Sequence, residues 1–315
     1  MKTIVIALGG NAINQADQKG TTEEQLANVD ATSRQIARIA RRGVRIVVTH
    51  GNGPQAGALL IQQEQADPLV PAQSLAACGA MTQGQIGWMI QNRLDQHLAR
   101  EGLDMRAASV VTQVLVSSGD PDFEDPSKPV GPFYSEEEAA RLAGCKGYKV
   151  KNVKVGAARG WRRVVPSPEP LEIIEQDIIR RLLDQGLLVI ASGGGGIPVS
   201  RSEDGALGGV EAVVDKDKAA FALARAVGAD TLLILTDVEK VALDYGTPRM
   251  RLLDRLTVRE AEAFLDEGQF PRGSMGPKVE ACLRFVRWSG KPAIISSLCR
   301  AVEALDGETG TRFVP

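Results

Sequence analysis

The chain has 315 residues, 43% of them hydrophobic, enough for one large α/β domain or two modest ones around a real core. Lys and Arg number 37 against 39 Asp and Glu, a formal charge of -2, so the electrostatic footprint of a nucleic-acid binder is missing and any anion must be captured locally. No apolar run approaches the about 18 residues of a membrane span, and the opening MKTIVIALGG is too short for a signal sequence, so the cytoplasm is the expected compartment.

In chain order, apolar runs ending in glycine alternate with stretches of helical period. A strand over Thr3–Leu8, a glycine turn, a helix from about Thr22 to Arg42, a strand over Val44–Thr49, a second glycine turn and more helix predict a parallel sheet. Ile86, Met89, Ile90 and Leu94 at helical spacing predict a helix from about Thr82 to Glu101, and AASVVTQVLV (Ala107–Val116) reads as one buried strand. Between Ser117 and Pro170 the rhythm breaks. Pro, Gly and Asp crowd the first half, and YKVKNVKV and WRRVVPSPEP read as short exposed strands, so about 117–170 is expected to form an inserted lid subdomain. Alternation resumes with a helix over Leu171–Gln185, the strand Leu187–Ser192, a third glycine turn and a hairpin-like stretch to Val214. A helix over Lys216–Val227, the strand Thr231–Thr236, helices near Val258–Glu267 and Met275–Trp288, and the strand Pro292–Ser297 follow, with GTRFV as a last edge strand. Four cysteines (Cys78, Cys145, Cys282, Cys299) without CxxC spacing, and only two histidines (His50, His97), predict neither a zinc site nor a disulfide framework.

Three strands end in glycine: IALGGNAI (Gly9, Gly10, Asn11), VTHGNGPQ (Gly51, Asn52, Gly53) and IASGGGGIP (Gly193 to Gly196). In an open parallel sheet the carboxyl ends of the strands form the ligand crevice. Glycine lets the main chain approach a ligand closely, and backbone N–H groups and helix N-termini attract anionic oxygens. One such turn is ordinary strand punctuation. Three at one edge point to an extended site for a phosphate chain and a small second substrate. Gly51-x-Gly53-x-x-Ala56 also satisfies the dinucleotide fingerprint, but that reading needs an acidic residue ending the next strand about 20 residues on. Glu64 and Asp67 stand instead in a helical or Pro-rich context.

Phosphoryl transfer is mostly positioning and charge neutralisation, and the chain has no GxxxxGK[ST] loop, so its lysines carry the question. Lys128 is braced by Pro129 in PSKPVGPF, Lys216 sits at a strand-to-helix junction in VVDKDKAA, and Lys278 lies near a helix start in GSMGPKVE. A lysine is ordinarily a solvated surface cation. At a helix N-terminus it works against the macrodipole unless an anion lies there, which singles out Lys216 and Lys278. Asp215 and Asp217, flanking Lys216, are either first-turn caps or carboxylates that orient lysines.

Taken in order, ALGGNAI, THGNGPQ, SKPVGPF, RGWRRVVPSP, SGGGGIPV, GVEAVVDKDKA, LTDVEKV and GSMGPK resemble the carbamate kinases, a branch of the amino acid kinase superfamily, over essentially the whole chain. SKPVGPF and RGWRRVVPSP discriminate best, because they lie in the inserted segment. The resemblance implies a three-layer αβα sandwich around a mainly parallel open sheet, one domain over 1–315 carrying the inserted lid, and a homodimer. It implies reversible phosphoryl transfer between ATP and carbamate, run toward ATP from carbamoyl phosphate and ADP, with Mg²⁺ accompanying the nucleotide and no metal ligands of the chain's own. Gly9, Gly10, Asn11, Gly51, Asn52 and Gly53 would cradle the carbamoyl phosphate or γ-phosphoryl end. Lys128, Lys216 and Lys278 would neutralise the transferring group, and Asp217 would orient the lysines. Gly194, Gly195, Asp215, Thr236, Asp237, Val238, Tyr245 and Met275 would lie along the nucleotide. Carbamate is already an anionic nucleophile, so no general base is required, and His50 is expected to be a packing neighbour. The competing readings are another small-substrate amino acid kinase, and a catalytically silent regulatory module of the same fold, against which the intact lysines argue.

Overall fold

A computed structural model of the chain describes residues 1–15, 17–67, 69–271 and 273–315. Its main sheet has eight strands in the order Arg255–Thr257, Thr311–Val314, Ala293–Ser297, Thr231–Thr236, Thr3–Leu8, Arg45–His50, Leu188–Ile190, Ala107–Ser109. The six strands from Ala293–Ser297 to Ala107–Ser109 are parallel, and Thr311–Val314 runs antiparallel to its neighbour Ala293–Ser297. Among the described residues the helices are α1 (Thr22–Ala40), α2 (Gly53–Ala66), α3 (Leu75–Arg100), α4 (Glu136–Lys146), α5 (Gln176–Asp184), α6 (Lys216–Ala226), α7 (Val258–Asp266), α8 (Met275–Ser289) and α9 (Ala301–Asp306). None of them is long and apolar enough to cross a membrane.

The central strand TIVIAL is buried along its whole length, so it reads as an unbroken apolar run rather than an alternating one. Its side chains still alternate in direction. Val5 and Ala7 join Val47, Leu232 and Ile234 in a core with α6 and α8, while Ile4, Ile6 and Leu8 join Ile46, Val48 and Leu233 in a second core with α1 and α3. Helices cover both faces, giving the expected three αβα layers. Leu8 pairs with His50 on one side and Leu235 on the other, so three strands end flush and their following turns share one edge.

Three sequence expectations are corrected. Ala107–Val116 is not one strand. Ala107–Ser109 stays in the main sheet, whereas Gln113–Leu115 joins a second sheet with Ile197–Arg201, Leu207–Gly209 and Glu172–Ile173. At the crossing, Gln83 of α3 satisfies the main chain of Thr112: Thr112 N–H donates to Gln83 Oε1 at 2.8 Å and Gln83 Nε2 donates to Thr112 O at 3.1 Å. The expected helix from Leu171 begins only at Gln176, because Glu172–Ile173 is spent on that second sheet. Thr311–Val314 is not an edge strand, since Arg255–Thr257 pairs outside it.

Lys128–Tyr134, Trp161–Val165 and Val150–Asn152 form a separate three-stranded antiparallel sheet, with α4 packed on it through Tyr134, Ala139 and Leu142. Ser135 and Glu138 close a capping box at the start of α4, and Gly147 ends it at φ 68. The joint to the main body is part apolar and part polar. Leu60, Leu75, Cys78 and Val165 pack together there, and the hydroxyls of Tyr134 and Tyr148 donate to the Glu64 carboxylate of α2 at 3.2 and 3.3 Å.

Candidate active site

The flush ends of Thr3–Leu8 and Arg45–His50 bring the first two glycine turns into contact, and Leu188–Ile190, paired beside Arg45–His50, delivers the third. Gly9 N–H donates to Leu235 O at 2.9 Å and Gly51 N–H donates to Leu8 O at 3.0 Å. A Cβ on Gly51 would stand 3.2 Å from Lys216 Cδ and 3.4 Å from Gly10 N, so the first two turns and Lys216 already touch. The third turn seats on the second. A Cβ on Gly193 would run into the His50 imidazole, one on Gly194 into the Asn52 amide, and one on Gly195 into Val214 O. Gly194 and Gly195 hold φ of +66 and +94, which side chains rarely adopt. Asn52 is fixed in turn by donating to Thr82 Oγ1 at 2.9 Å.

Asp215 caps α6 with one carboxylate oxygen, accepting from Asp217 N–H at 2.9 Å, and accepts from Lys128 Nζ with the other at 2.7 Å. Asp217, 2% exposed, accepts from Lys216 Nζ at 2.6 Å and stands 3.4 Å from Lys278 Nζ, which also donates to Ser274 O at 3.0 Å. Both sequence alternatives for Asp215 therefore hold at once: it is a cap and a lysine partner. Burial by itself would raise the Asp215 carboxyl, but Lys128 and then Lys216 hold it down at about 2. Lys278 is less basic than a free lysine, first through burial and then through repulsion from Lys216. His50 is buried, its pKa lowered by desolvation to about 4, and its Nδ1–H donates to Gly51 O at 2.9 Å. At neutral pH it is an uncharged wedge between two glycine turns.

A cavity of about 680 Å³ is walled by Gly10, Gly51, Asn52, Gly53, Gly194, Asp215, Lys216, Asp217, Lys278 and, from the 117–170 segment, Lys128 and Arg162. Beside it, Thr236, Asp237, Val238, Tyr245 and Met275 line a pocket of about 180 Å³, and Ser274 and Lys278 line both. Asn11 faces another hollow, of about 340 Å³, where its Nδ2 donates to Asp237 Oδ2 at 3.2 Å. Gly9 and Gly195 stand behind these walls, where close backbone packing needs them small. Gly194 and Asp215, expected along the nucleotide, stand in the larger cavity with the other glycines and lysines. Sequence reasoning missed Arg162, Ser274 and Thr82. RGWRRVVPSP marked the right strand, but Arg162 and Arg163 point to opposite faces, and which face meets the cavity and which meets Glu211 is set by packing that the sequence does not display.

A doubly covered parallel sheet with lysines clustered on carboxylates over glycine turns is the equipment of a phosphotransferase, and the chain belongs to the amino acid kinase family, whose profile matches residues 2–297. Its relatives narrow the class. The carbamate kinase of Thermococcus kodakarensis is 53% identical over 317 residues, covering 100% of this chain and 99% of that protein, and that of Pyrococcus furiosus is 51% identical over 316 residues at the same coverage. The structure of carbamate kinase from Giardia lamblia bound to AMP-PNP superposes with a TM-score of 0.93 at 43% identity, covering 99% of this chain and 98% of that one. Within its family, the chain belongs to the carbamate kinases.

Proposed function

We propose that the chain catalyses ATP + carbamate = ADP + carbamoyl phosphate and works toward ATP, with its lysine cluster as the catalytic element. The observation that carries this is Lys128, Lys216 and Lys278 gathered on Asp215 and Asp217 opposite the glycine turns. In the ATP-forming direction a terminal β-phosphate oxygen of ADP attacks phosphorus. The bond from phosphorus to the carbamoyl oxygen breaks, and its electron pair leaves with carbamate. No proton has to move, so neutral, buried His50 has no acid–base role. The charge that builds on the transferring oxygens meets three ammonium groups already held in place.

In this reading Gly10, Gly51, Asn52 and Gly53 hold carbamoyl phosphate, with Gly9 packed behind them and Asn11 in the neighbouring hollow, and Asp217 orients Lys216 and Lys278. Thr236, Asp237, Val238, Tyr245 and Met275 take the nucleoside end, with Gly194 and Asp215 toward its phosphates and Gly195 packed on Val214 behind them. Lys278 and Ser274, lining both hollows, stand where the two substrates meet. The AMP-PNP complex of the Giardia relative supports a nucleotide in such a site. No group of three His, Cys, Asp or Glu side chains among the described residues is arranged to cage a metal ion, and Asp215 and Asp217 are engaged with lysines. Mg²⁺ would therefore ride on the nucleotide phosphates with most of its water, where it supplies charge neutralisation. The 117–170 segment, with its own small core, is read as a lid inserted in a single domain. Exposed Met81 and Trp88, seven residues apart on α3, support a homodimer, and four free cysteines suit the cytoplasm.

The test is ATP formation from carbamoyl phosphate and ADP with Mg²⁺, read by a coupled assay. Turnover well above the uncatalysed background is expected, and background rates from folded protein would overturn the proposal.

A further inference from the structure

The cations of the larger cavity are not equally satisfied. Lys128 is paired with Asp215, and Lys216 and Lys278 share Asp217. Arg162 lines the same cavity with no carboxylate within salt-bridge distance among the described residues. Its Nη2 donates to Gly131 O at 2.7 Å, and its guanidinium carbon sits 5.0 Å from the centre of the Phe133 ring. Its Nε is buried and has no hydrogen-bond partner. A guanidinium offers five donors; with Nε sealed from solvent and one Nη2 hydrogen given to Gly131 O, the Nη donors that remain are the ones a ligand in the cavity can use.

The acceptor can be identified by shape. The lysines and glycine turns suit a tetrahedral phosphoryl group, approached from several sides by point charges and N–H groups. A guanidinium is a planar fork that matches a planar group with oxygens in its plane. In carbamoyl phosphate that group is the carbamoyl carbon with its carbonyl oxygen, and in the other direction it is the carboxylate of carbamate. Phe133 and the Gly131 carbonyl hold the fork on one side and leave the remaining donors for it.

We propose that Arg162 is a substrate-binding residue that determines specificity, its unused donors binding the carbonyl or carboxylate oxygen of the carbamoyl group while the lysines bind the phosphoryl group. The proposal rests on the reading of the cavity as a carbamoyl phosphate site. Arg162→Lys keeps a charge and a donor for Gly131 O but loses the planar fork, and Arg162→Gln loses the charge as well. In steady-state kinetics, both variants are expected to raise KM for carbamoyl phosphate by about 10- to 100-fold, the range of a hydrogen bond to a charged group. KM for ADP should stay within about twofold, and millimolar guanidinium should partly restore an Arg162→Gly variant. Wild-type protein without activity would overturn the reading of the cavity. Active wild-type protein with unchanged KM for carbamoyl phosphate in both variants would overturn the role of Arg162. So would an equal rise in both KM values accompanied by a lowered melting temperature, because that is the signature of a damaged lid sheet.

Discussion

Replacing Asp217 by Asn separates the charge of the central carboxylate from its shape. The ion pairs at 2.6 and 3.4 Å correspond to gross attractions of about 6 and about 5 kcal/mol at an effective dielectric constant near 20. Desolvation takes back most of that, and removing one partner of a buried pair costs about 3–5 kcal/mol net. The amide would leave Lys216 and Lys278 facing each other without an anion between them. Lys278, already less basic through burial and through Lys216, would be the first of the two to give up its proton as pH rises. One positioned cation is then lost at the transferring phosphoryl group, an effect worth about 100- to 1000-fold in turnover. ATP formation by the variant should fall by at least about 100-fold at pH 8, with KM for ADP little changed. Its residual activity should rise as pH is lowered and Lys278 is reprotonated. Turnover within about threefold of wild type, or a loss that is the same at every pH and parallels loss of folded protein, would refute the reasoning.

Two further predictions concern the glycine turns. Gly194→Ala forces a left-handed φ of +66 on a side-chain-bearing residue, at about 1–2 kcal/mol, and drives its methyl into the Asn52 amide, displacing the bond to Thr82. A lower melting temperature and a higher KM for carbamoyl phosphate should appear together, and neither would change if the turn were loose. His50 titrates at about 4 when folded against about 6.5 when unfolded, so the unfolded chain takes up the proton first. Wild-type stability is therefore fully present above pH 6.5 and declines by up to about 3 kcal/mol from this group as pH falls to 4. His50→Gln should flatten that slope in urea unfolding while keeping turnover at pH 8 within about tenfold of wild type. An unchanged slope would show that the imidazole is not the buried neutral group described above.

What could be read from the sequence depended on whether the deciding contacts were local. TLLILT gives Thr231–Thr236 to the residue, because a run buried on both faces needs no partner to be recognised. The break inside AASVVTQVLV is invisible in its own residues, since it is made by Gln83 from a helix some thirty residues earlier. The helix expected from about Thr82 begins at Leu75, capped by Ser74, because Gly79, Gly84 and Gly87 mask its apolar period. Gly87 is there for packing: a Cβ on it would stand 2.8 Å from Ser109 Oγ. The hairpin Val241–Leu243/Arg251–Leu253 and the edge strand Arg255–Thr257 were too short to stand out from loops. In the site, Lys216 and Lys278 were legible because a cation at a helix start contradicts the macrodipole and so implies an anion. Arg162 was not, because its placement follows from packing rather than from composition.

Charge balance connects these residues to the choice of substrates. The walls of the larger cavity carry Lys128, Arg162, Lys216 and Lys278 against Asp215 and Asp217, two positive charges in excess. In the proposed function carbamoyl phosphate, a dianion near neutral pH, would bring that cavity to neutrality by itself. ADP would add phosphate charge that these side chains do not match, and in the proposed function a divalent ion carried on the nucleotide would supply the difference. The two carboxylates matter to the same balance. Without Asp217, Lys216 and Lys278 would repel each other in a half-buried space, and the repulsion that already makes Lys278 less basic would go unopposed by that carboxylate. Keeping all four charged, yet only partly neutralised, requires carboxylates that stay ionised. Asp215, held at about 2 by its lysines, meets that condition at neutral pH.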